Sequence, residues 1–402
     1  MRIQRTLAAL ALGTSLALVG CAADPAEDEL GQGEAALTDD DDLYAADFVP
    51  GQYIAVLRRG ASSQALAERH GVARGLELAP QRAVVLKHVS DARLAHLAED
   101  ADVEAIYPDA VAWASGKPAP APVAESVPAG VNRIGADEIA NKGAGVVVCI
   151  VDTGIDYLHA DLAGNYLGGQ DFINNDADPR DDNGHGTHVA GTVAAVDNDT
   201  NVIGVAPEAK LLAAKVLNRR GSGSYSAITA GVNYCVAQGA EVINMSLGGS
   251  YNDPTLAAAL AAAKAAGATI VVAAGNESKN LDLEGNARYP ASYGTVITVS
   301  AAVVGATDLG ADITWASFTN YGTAVDIAAP GMSVVSDKMG GGVTSKNGTS
   351  MASPHVAGAA ALYIAANPGA TPDQVEAALE AAAELVSNTS QHPEGFLNVR
   401  AF

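Results

Sequence analysis

Three side chains sit where a hydroxyl, an imidazole and a carboxylate could act together. Ser350 lies in "NGTSMASPHVAG", after Gly348 and Thr349 and just ahead of a small-residue run that continues as a tightly packed helix. It can be the cap of that helix, or a nucleophile if a base stands beside it. His185 lies between two glycines in "DDNGHGTHVAGT", at a predicted helix start. Alone it could be structural or a metal ligand, although neither HExxH spacing nor a Cys pair accompanies it. Asp152 in "VDTGID" ends a predicted buried strand, where an Asp is often only a turn former or cap. Taken in chain order, the three can supply an orienting carboxylate, a general base and a nucleophile, the parts needed for acyl transfer. A lipase-like hydrolase runs Ser, acid, His and usually carries G-x-S-x-G, which this chain lacks at Ser350.

The elements that must position these groups follow from the apolar pattern. "GVVVCIVD", "KLLAAKVL", "AEVINMSL", "ATIVVAA" and "VITVSA" are continuous apolar runs of the kind expected of strands buried on both faces. Predicted helices fall between them, notably "SAITAGVNYCVAQG" and "PTLAAALAAAKAAG". The alternation implies a mostly parallel sheet with helices on both sides, whose strand ends are the expected place for a site. Upstream, residues 52–113 read as a small β-α-β-β-α-β unit: "YIAVL", a helix over 62–70, "LELAP", "AVVLKHV", a helix over 91–99 and "VEAIYPD". The Pro/Ala stretch "SGKPAPAPVAES" then reads as an extended, exposed linker.

The N-terminus is a targeting segment, with Arg2 and Arg5 ahead of an apolar run over 7–19 that is too short to span a bilayer. Residues 21–51 carry clustered acids, with no Lys, Arg or His, and read as a disordered tether. The chain has 402 residues, 49% of them apolar, and a formal net charge of −23. That length and composition can bury one large domain plus a smaller unit, and the charge argues against nucleic acid or an anionic membrane surface as a partner.

The strings "VDTGID", "NGHGTHVAGT", "GVAP", "INMSLGG", "VVAAGN", "YPASY" and "NGTSMASPHVAG" follow one another in an order that resembles the subtilisin-like serine protease family over residues 125–402. The resemblance implies a three-layer α/β/α fold and a serine endopeptidase with Ser350 as nucleophile, His185 as general base and then acid, and Asp152 as its orienting partner. It implies that Asn276 in "AAGNE" donates to the oxyanion, and gives His188 and His355 structural roles. Backbone at Gly221, Ser222 and Gly223 and at Ser246, Leu247 and Gly248 would sandwich an extended protein or peptide substrate as an added strand. Tyr225 would wall a more N-terminal pocket. The pocket for the residue before the cut would be lined by 247–249 and 273–275, including Ala273. Arg288 aligns near its base and would favour acidic side chains there, unless it turns to solvent.

"AAVDNDTNVIGVAP" resembles the family's calcium loop. Glu125, Asp161, Val196, Asn198, Thr200 and Val202 would give hard oxygen ligands suited to a structural Ca²⁺. Asp171, Asp176 and Asp178 could hold a second ion or belong to a solvated loop. "LVGC" resembles a lipobox, which would make Cys21 a lipidated membrane anchor; an ordinary secretory signal would leave Cys21 incidental. Either way the protein is exported from a bacterial cell, where Cys149 and Cys235 could pair in a disulfide or stay as buried thiols. The unit at 52–113 resembles an inhibitory propeptide, an intramolecular partner released by a cut within 112–124, against the alternative of a permanent accessory domain. The resulting expectation is a monomeric zymogen with a signal at 1–20, a maturation region at 114–124 and a catalytic domain at 125–402. The competing class is a non-catalytic peptide-binding protein on the same fold.

Overall fold

A computed structural model describes residues 48–114, 117–119, 127–304, 313–386 and 391–402. All of these lie in one compact unit. The small N-terminal part runs β1 (Phe48–Leu57), α1 (Ser63–His70), β2 (Ala73–Leu78), β3 (Ala83–Lys87), α2 (Asp91–Glu99) and β4 (Val103–Ala114). Local chemistry places its helices: Ser62 caps α1 by accepting the Ala65 N–H, and Gly71 ends it in the left-handed conformation. In β3 the side chains alternate, with Val84 and Leu86 packed under the two helices and Ala83 and Val85 on the opposite face with Ile54 and Leu78.

Next come β5 (Lys117–Ala119), α3 (Ala129–Ile134), β6 (Val147–Asp152), α4 (Ala160–Ala163), β7 (Tyr166–Asp171), α5 (His185–Ala194), β8 (Lys210–Lys215) and β9 (Ser222–Ser224). These are followed by α6 (Tyr225–Ala237), β10 (Val242–Met245), β11 (Leu247–Gly248), α7 (Pro254–Ala265), β12 (Thr269–Ala273), β13 (Ile297–Val303), β14 (Thr314–Trp315) and β15 (Ile327–Pro330). Last are β16 (Val334–Asp337), β17 (Val343–Asn347), α8 (Thr349–Ala366), α9 (Pro372–Ala382) and β18 (Gly395–Phe396).

The main sheet has the order β18-β15-β13-β12-β10-β6-β8-β7, with β14 paired to β13. Its pairs are parallel except β13–β14. Burial on both faces explains the unbroken apolar runs: Val148 and Ile150 of β6 join a core with α5 and α8, while Cys149 and Val151 join a second core with α6 and α7. A disulfide between Cys149 and Cys235, with an S–S distance of 2.05 Å, ties α6 to the centre of the sheet. The chain returns on one side of β6 to form β8 and on the other to form β10, so β6 ends at a topological switch point.

Two expected boundaries move. The tether predicted to reach residue 51 ends sooner, because β1 begins at Phe48. The stretch expected to be an exposed linker contains β5, which pairs antiparallel with β17. In addition, β4 runs on past Asp109 to Ala114, because strands far away in sequence supply its partners there.

Candidate active site

Asp152 is the last residue of β6 and His185 the first of α5. The two meet because the turn after β6 presses on the start of α5: a Cβ at Gly186 would lie 2.1 Å from the Gly154 carbonyl oxygen, so only glycine allows that approach. His185 Nδ1 lies 2.7 Å from Asp152 Oδ1. Asp152 is fully buried and His185 is 3% exposed, so this bond is sheltered from water and orients the ring. His185 Nε2 faces away from Asp152 with no protein partner among the described residues.

A residue that no sequence pattern marked holds this corner. The buried Asp181 carboxylate accepts hydrogen bonds from Thr153 Oγ1, Thr187 Oγ1 and the backbone N–H groups of Asn183, Gly184 and Thr187, at 2.5 to 3.0 Å. It therefore links the loop after Asp152 to the helix that starts at His185. Its only signal in the sequence was an acid four residues before the His, in a loop already rich in acids.

Ser350 is the second residue of α8, with Gly348 as N-cap. Pro354 lies inside the helix and has no N–H to give the Ser350 carbonyl, which instead accepts from Ser246 Oγ at 2.9 Å. In return Ser350 Oγ donates to the Ser246 carbonyl at 3.0 Å. The hydroxyl is thus parked on β10–β11 rather than turned to His185. Asn276 stands beside the helix start, its Oδ1 accepting from Thr349 N at 2.8 Å and Thr349 Oγ1 at 3.1 Å, which fixes the amide plane. His188 and His355 are buried and neutral: His188 Nε2 lies 3.0 Å from the Val334 carbonyl and His355 Nδ1 2.8 Å from that of Met351. Burial pushes His188 down to about 3 and His355 to about 4.

The groove beside this constellation is filled by the chain itself. The end of β4 lies antiparallel between β9 and β11, with Ala112 opposite Gly223, Trp113 opposite Gly248 and Ala114 opposite Leu247. Ala112 is fully buried in one apolar cluster with Tyr225 and Leu247. Arg288 does not turn to solvent. Its Nη1 donates to the Asn286 and Ala287 carbonyls, and its Nε lies 3.3 Å from Glu277 Oε1.

Residues 196–202 close around the buried Asp161. Its Oδ1 accepts from Asn198 Nδ2 and Asn201 Nδ2 at 3.2 Å and from Thr200 Oγ1 at 3.3 Å, and its Oδ2 from Val202 N at 3.3 Å. Asp199 and Asn201 take left-handed backbone conformations, as a tight oxygen-lined loop requires. Val127 lines the same hollow. Glu125 and Cys21 lie outside the described residues, as does the signal segment. Asp171, Asp176 and Asp178 do not converge. Asp171 accepts from Ile173 N and Asn174 N, Asp176 from Asp178 N, and Asp178 from the Tyr157 hydroxyl, so each serves a turn. Among the described residues, the metal-ligating groups that do gather lie elsewhere: His159, Asp161 and Asp337, and Asp326, Glu376 and Glu380.

Comparison with known proteins fits this geometry. The family model "Subtilase family" matches residues 143–396. The chain belongs to the subtilase family. Subtilisin DY of Bacillus licheniformis is 44% identical over 281 residues, covering 69% of this chain and 99% of that protein. An alkaline protease of Alkalihalobacillus alcalophilus is 40% identical over 329 residues, covering 81% of this chain and 78% of its own. This match is longer than the family segment and so includes residues outside it. Among solved structures, a cold adapted subtilisin-like serine proteinase gives a TM-score of 0.61 at 34% identity, covering 69% of this chain and all of that one. Fervidolysin from Fervidobacterium pennivorans gives 0.76 over 88% of this chain and 61% of its own, at 24% identity, a likeness of fold. This subtilase is a serine endopeptidase with the three-layer α/β/α architecture.

Proposed function

We propose that this chain is the autoinhibited precursor of an exported serine endopeptidase that works through Asp152, His185 and Ser350. The observation that carries the reading is the seating of residues 111–114 as a strand between β9 and β11, next to Ser246, which exchanges hydrogen bonds with Ser350. A substrate that replaced this strand would present its carbonyl to the start of α8. Ser350 Oγ then leaves the Ser246 carbonyl, passes its proton to His185 Nε2 and attacks. The oxyanion is met by the Ser350 N–H and the Asn276 side-chain amide, while Asp152 stabilises the imidazolium. His185 returns the proton to the leaving amine, and water activated by the same nitrogen releases the acyl group.

The small N-terminal part acts as the inhibitor in this reading. Asp109 on β4 accepts from the Ser226 N–H at 3.0 Å and from Ser226 Oγ at the start of α6, and Gln81 and Asn233 exchange amide hydrogen bonds at 2.8 and 3.2 Å. β4 ends at Ala114 and β5 resumes at Lys117 opposite Asn347, three residues before Ser350. The maturation cut therefore falls between Ala114 and Lys117, narrower than the window read from sequence.

The Asp161 and Asn198 side chains with the Val196, Thr200 and Val202 carbonyls would hold a calcium ion, whose chemistry here is structural. A signal at 1–20, with Cys21 lipidated, would tether the enzyme to the cell envelope. A fluorophosphonate probe tests the enzymatic core. The activated chain should be labelled at Ser350 and lose casein hydrolysis in step with labelling. An active chain labelled elsewhere, or left unlabelled, would sink the assignment.

A further inference from the structure

We propose that His159, Asp161 and Asp337 form a second metal site, for a divalent ion of the zinc class, sharing Asp161 with the calcium loop. The ligand atoms of the three residues lie within 4.8 Å of one another. His159 Nδ1 is 3.6 Å from Asp337 Oδ1, close to the roughly 3.4 Å that separates two ligands about 2.1 Å from one tetrahedral ion. The side chains of His159 and Asp337 are 1% and 0% exposed.

The independent pointer to a ligand is Asp337. It is completely buried at the end of β16, and among the described residues neither carboxylate oxygen receives a hydrogen bond. An unpaired buried carboxylate is costly and must be answered by a proton or a cation. Room for it is kept on the α5 side by Gly191, where a Cβ would stand 2.6 Å from Asp337 Oδ2. His159 is arranged as a ligand would be: its Nε2 lies 2.9 Å from the Gly342 carbonyl, which takes that proton and leaves Nδ1 with its lone pair. In this structure that lone pair accepts the Asp161 N–H at 3.3 Å, a long bond that a bound ion would displace. A ring nitrogen with two carboxylates selects a borderline ion such as Zn²⁺, since calcium prefers oxygen ligands. The ion would bind the N-cap of α4 to the β16–β17 turn and to the calcium loop, with Asp161 bridging the two metals.

The test uses the full-length Ser350→Ala chain, which cannot digest itself, stripped of metal and returned to saturating calcium. Calorimetric titration with Zn²⁺ should give one equivalent of tight binding, and Co²⁺ should develop visible absorption. Asp337→Asn and His159→Gln should each weaken zinc at least tenfold while keeping the melting shift that calcium produces. That shift certifies the fold of each variant, and His159→Gln carries the test if Asp337→Asn does not fold. The proposal is overturned if calcium-loaded chain takes no zinc. It is equally overturned if zinc displaces calcium one for one, or if folded variants bind zinc as the parent does; a proton shared between Asp161 and Asp337 would then explain the pair.

Discussion

Ser350 Oγ rests on the Ser246 carbonyl, so in the proposed mechanism the first motion is the rotation of one hydroxyl toward His185 Nε2. Around it, two residues should have separable effects. In the proposed mechanism Asn276→Ala removes an oxyanion donor while the Asp152–His185 pair stays intact. The expected loss is the ~10²–10³ in kcat known for the corresponding donor of subtilisin itself, carried over from the family, with KM little changed. A variant with unaltered kcat would remove Asn276 from the mechanism. Arg288 is a different case, because Glu277 answers its charge. Glu277→Gln should uncover the guanidinium and raise the preference for Glu over Leu before the cut about fivefold, a modest effect because the pair is partly exposed. An unchanged ratio of kcat/KM would mean that Arg288 does not reach that pocket. Asp152, His185 and Ser350 stand out in the sequence because each sits in a long motif; Asp181 does not, since one acid among several in a loop gives no periodic signal.

At the scale of elements, the strands buried on both faces and the helices over 63–70 and 91–99 could be read directly, because burial and capping leave local patterns. β5, the extension of β4 and the β16–β17 hairpin could not. Their partners come from distant segments, and no sequence pattern marks Asp337. The contact between the N-terminal part and α6 was equally hidden. Asp109 is completely buried there and its carboxyl is pushed up to about 6, by burial first, while the Ser226 and Gln52 hydrogen bonds pull it back down. In the Ser350→Ala chain, Asp109→Ala should leave Ser226 N–H unpaired and speed amide exchange in β4 and the first turn of α6 at least about tenfold. Unchanged protection in those two segments would show that the contact contributes nothing to docking.

For the whole molecule, the histidines govern acid sensitivity. His188 and His355 fall in the fold from the usual 6.5 to about 3 and about 4. A depressed histidine contributes stability that is complete above the unfolded value and fades as pH drops from about 6.5 toward the folded one. Each can therefore remove up to roughly 1.4 kcal/mol per pH unit in that window. The raised carboxyls of Asp109 and Asp326, at about 6 and about 7, act in the opposite sense. The urea midpoint of the Ser350→Ala chain should fall between pH 7 and 5 less steeply once His188 is replaced by Gln. An equal slope in both chains would exclude His188 as a source of acid lability. Fold class was legible at this scale because a mostly parallel sheet writes itself as apolar runs separated by helices, whereas the insertion of the chain into its own groove leaves no local pattern and was expected only from the resemblance of residues 52–113 to an inhibitory propeptide.

The central claim is that Ser350 cuts the strand that blocks it. Intact mass and N-terminal sequencing of wild type and Ser350→Ala, each incubated with calcium, test it most directly. Wild type should separate between Ala114 and Lys117 while Ser350→Ala stays whole. Cleavage of both chains at that place, or of neither while the wild type remains inert toward casein, would contradict it.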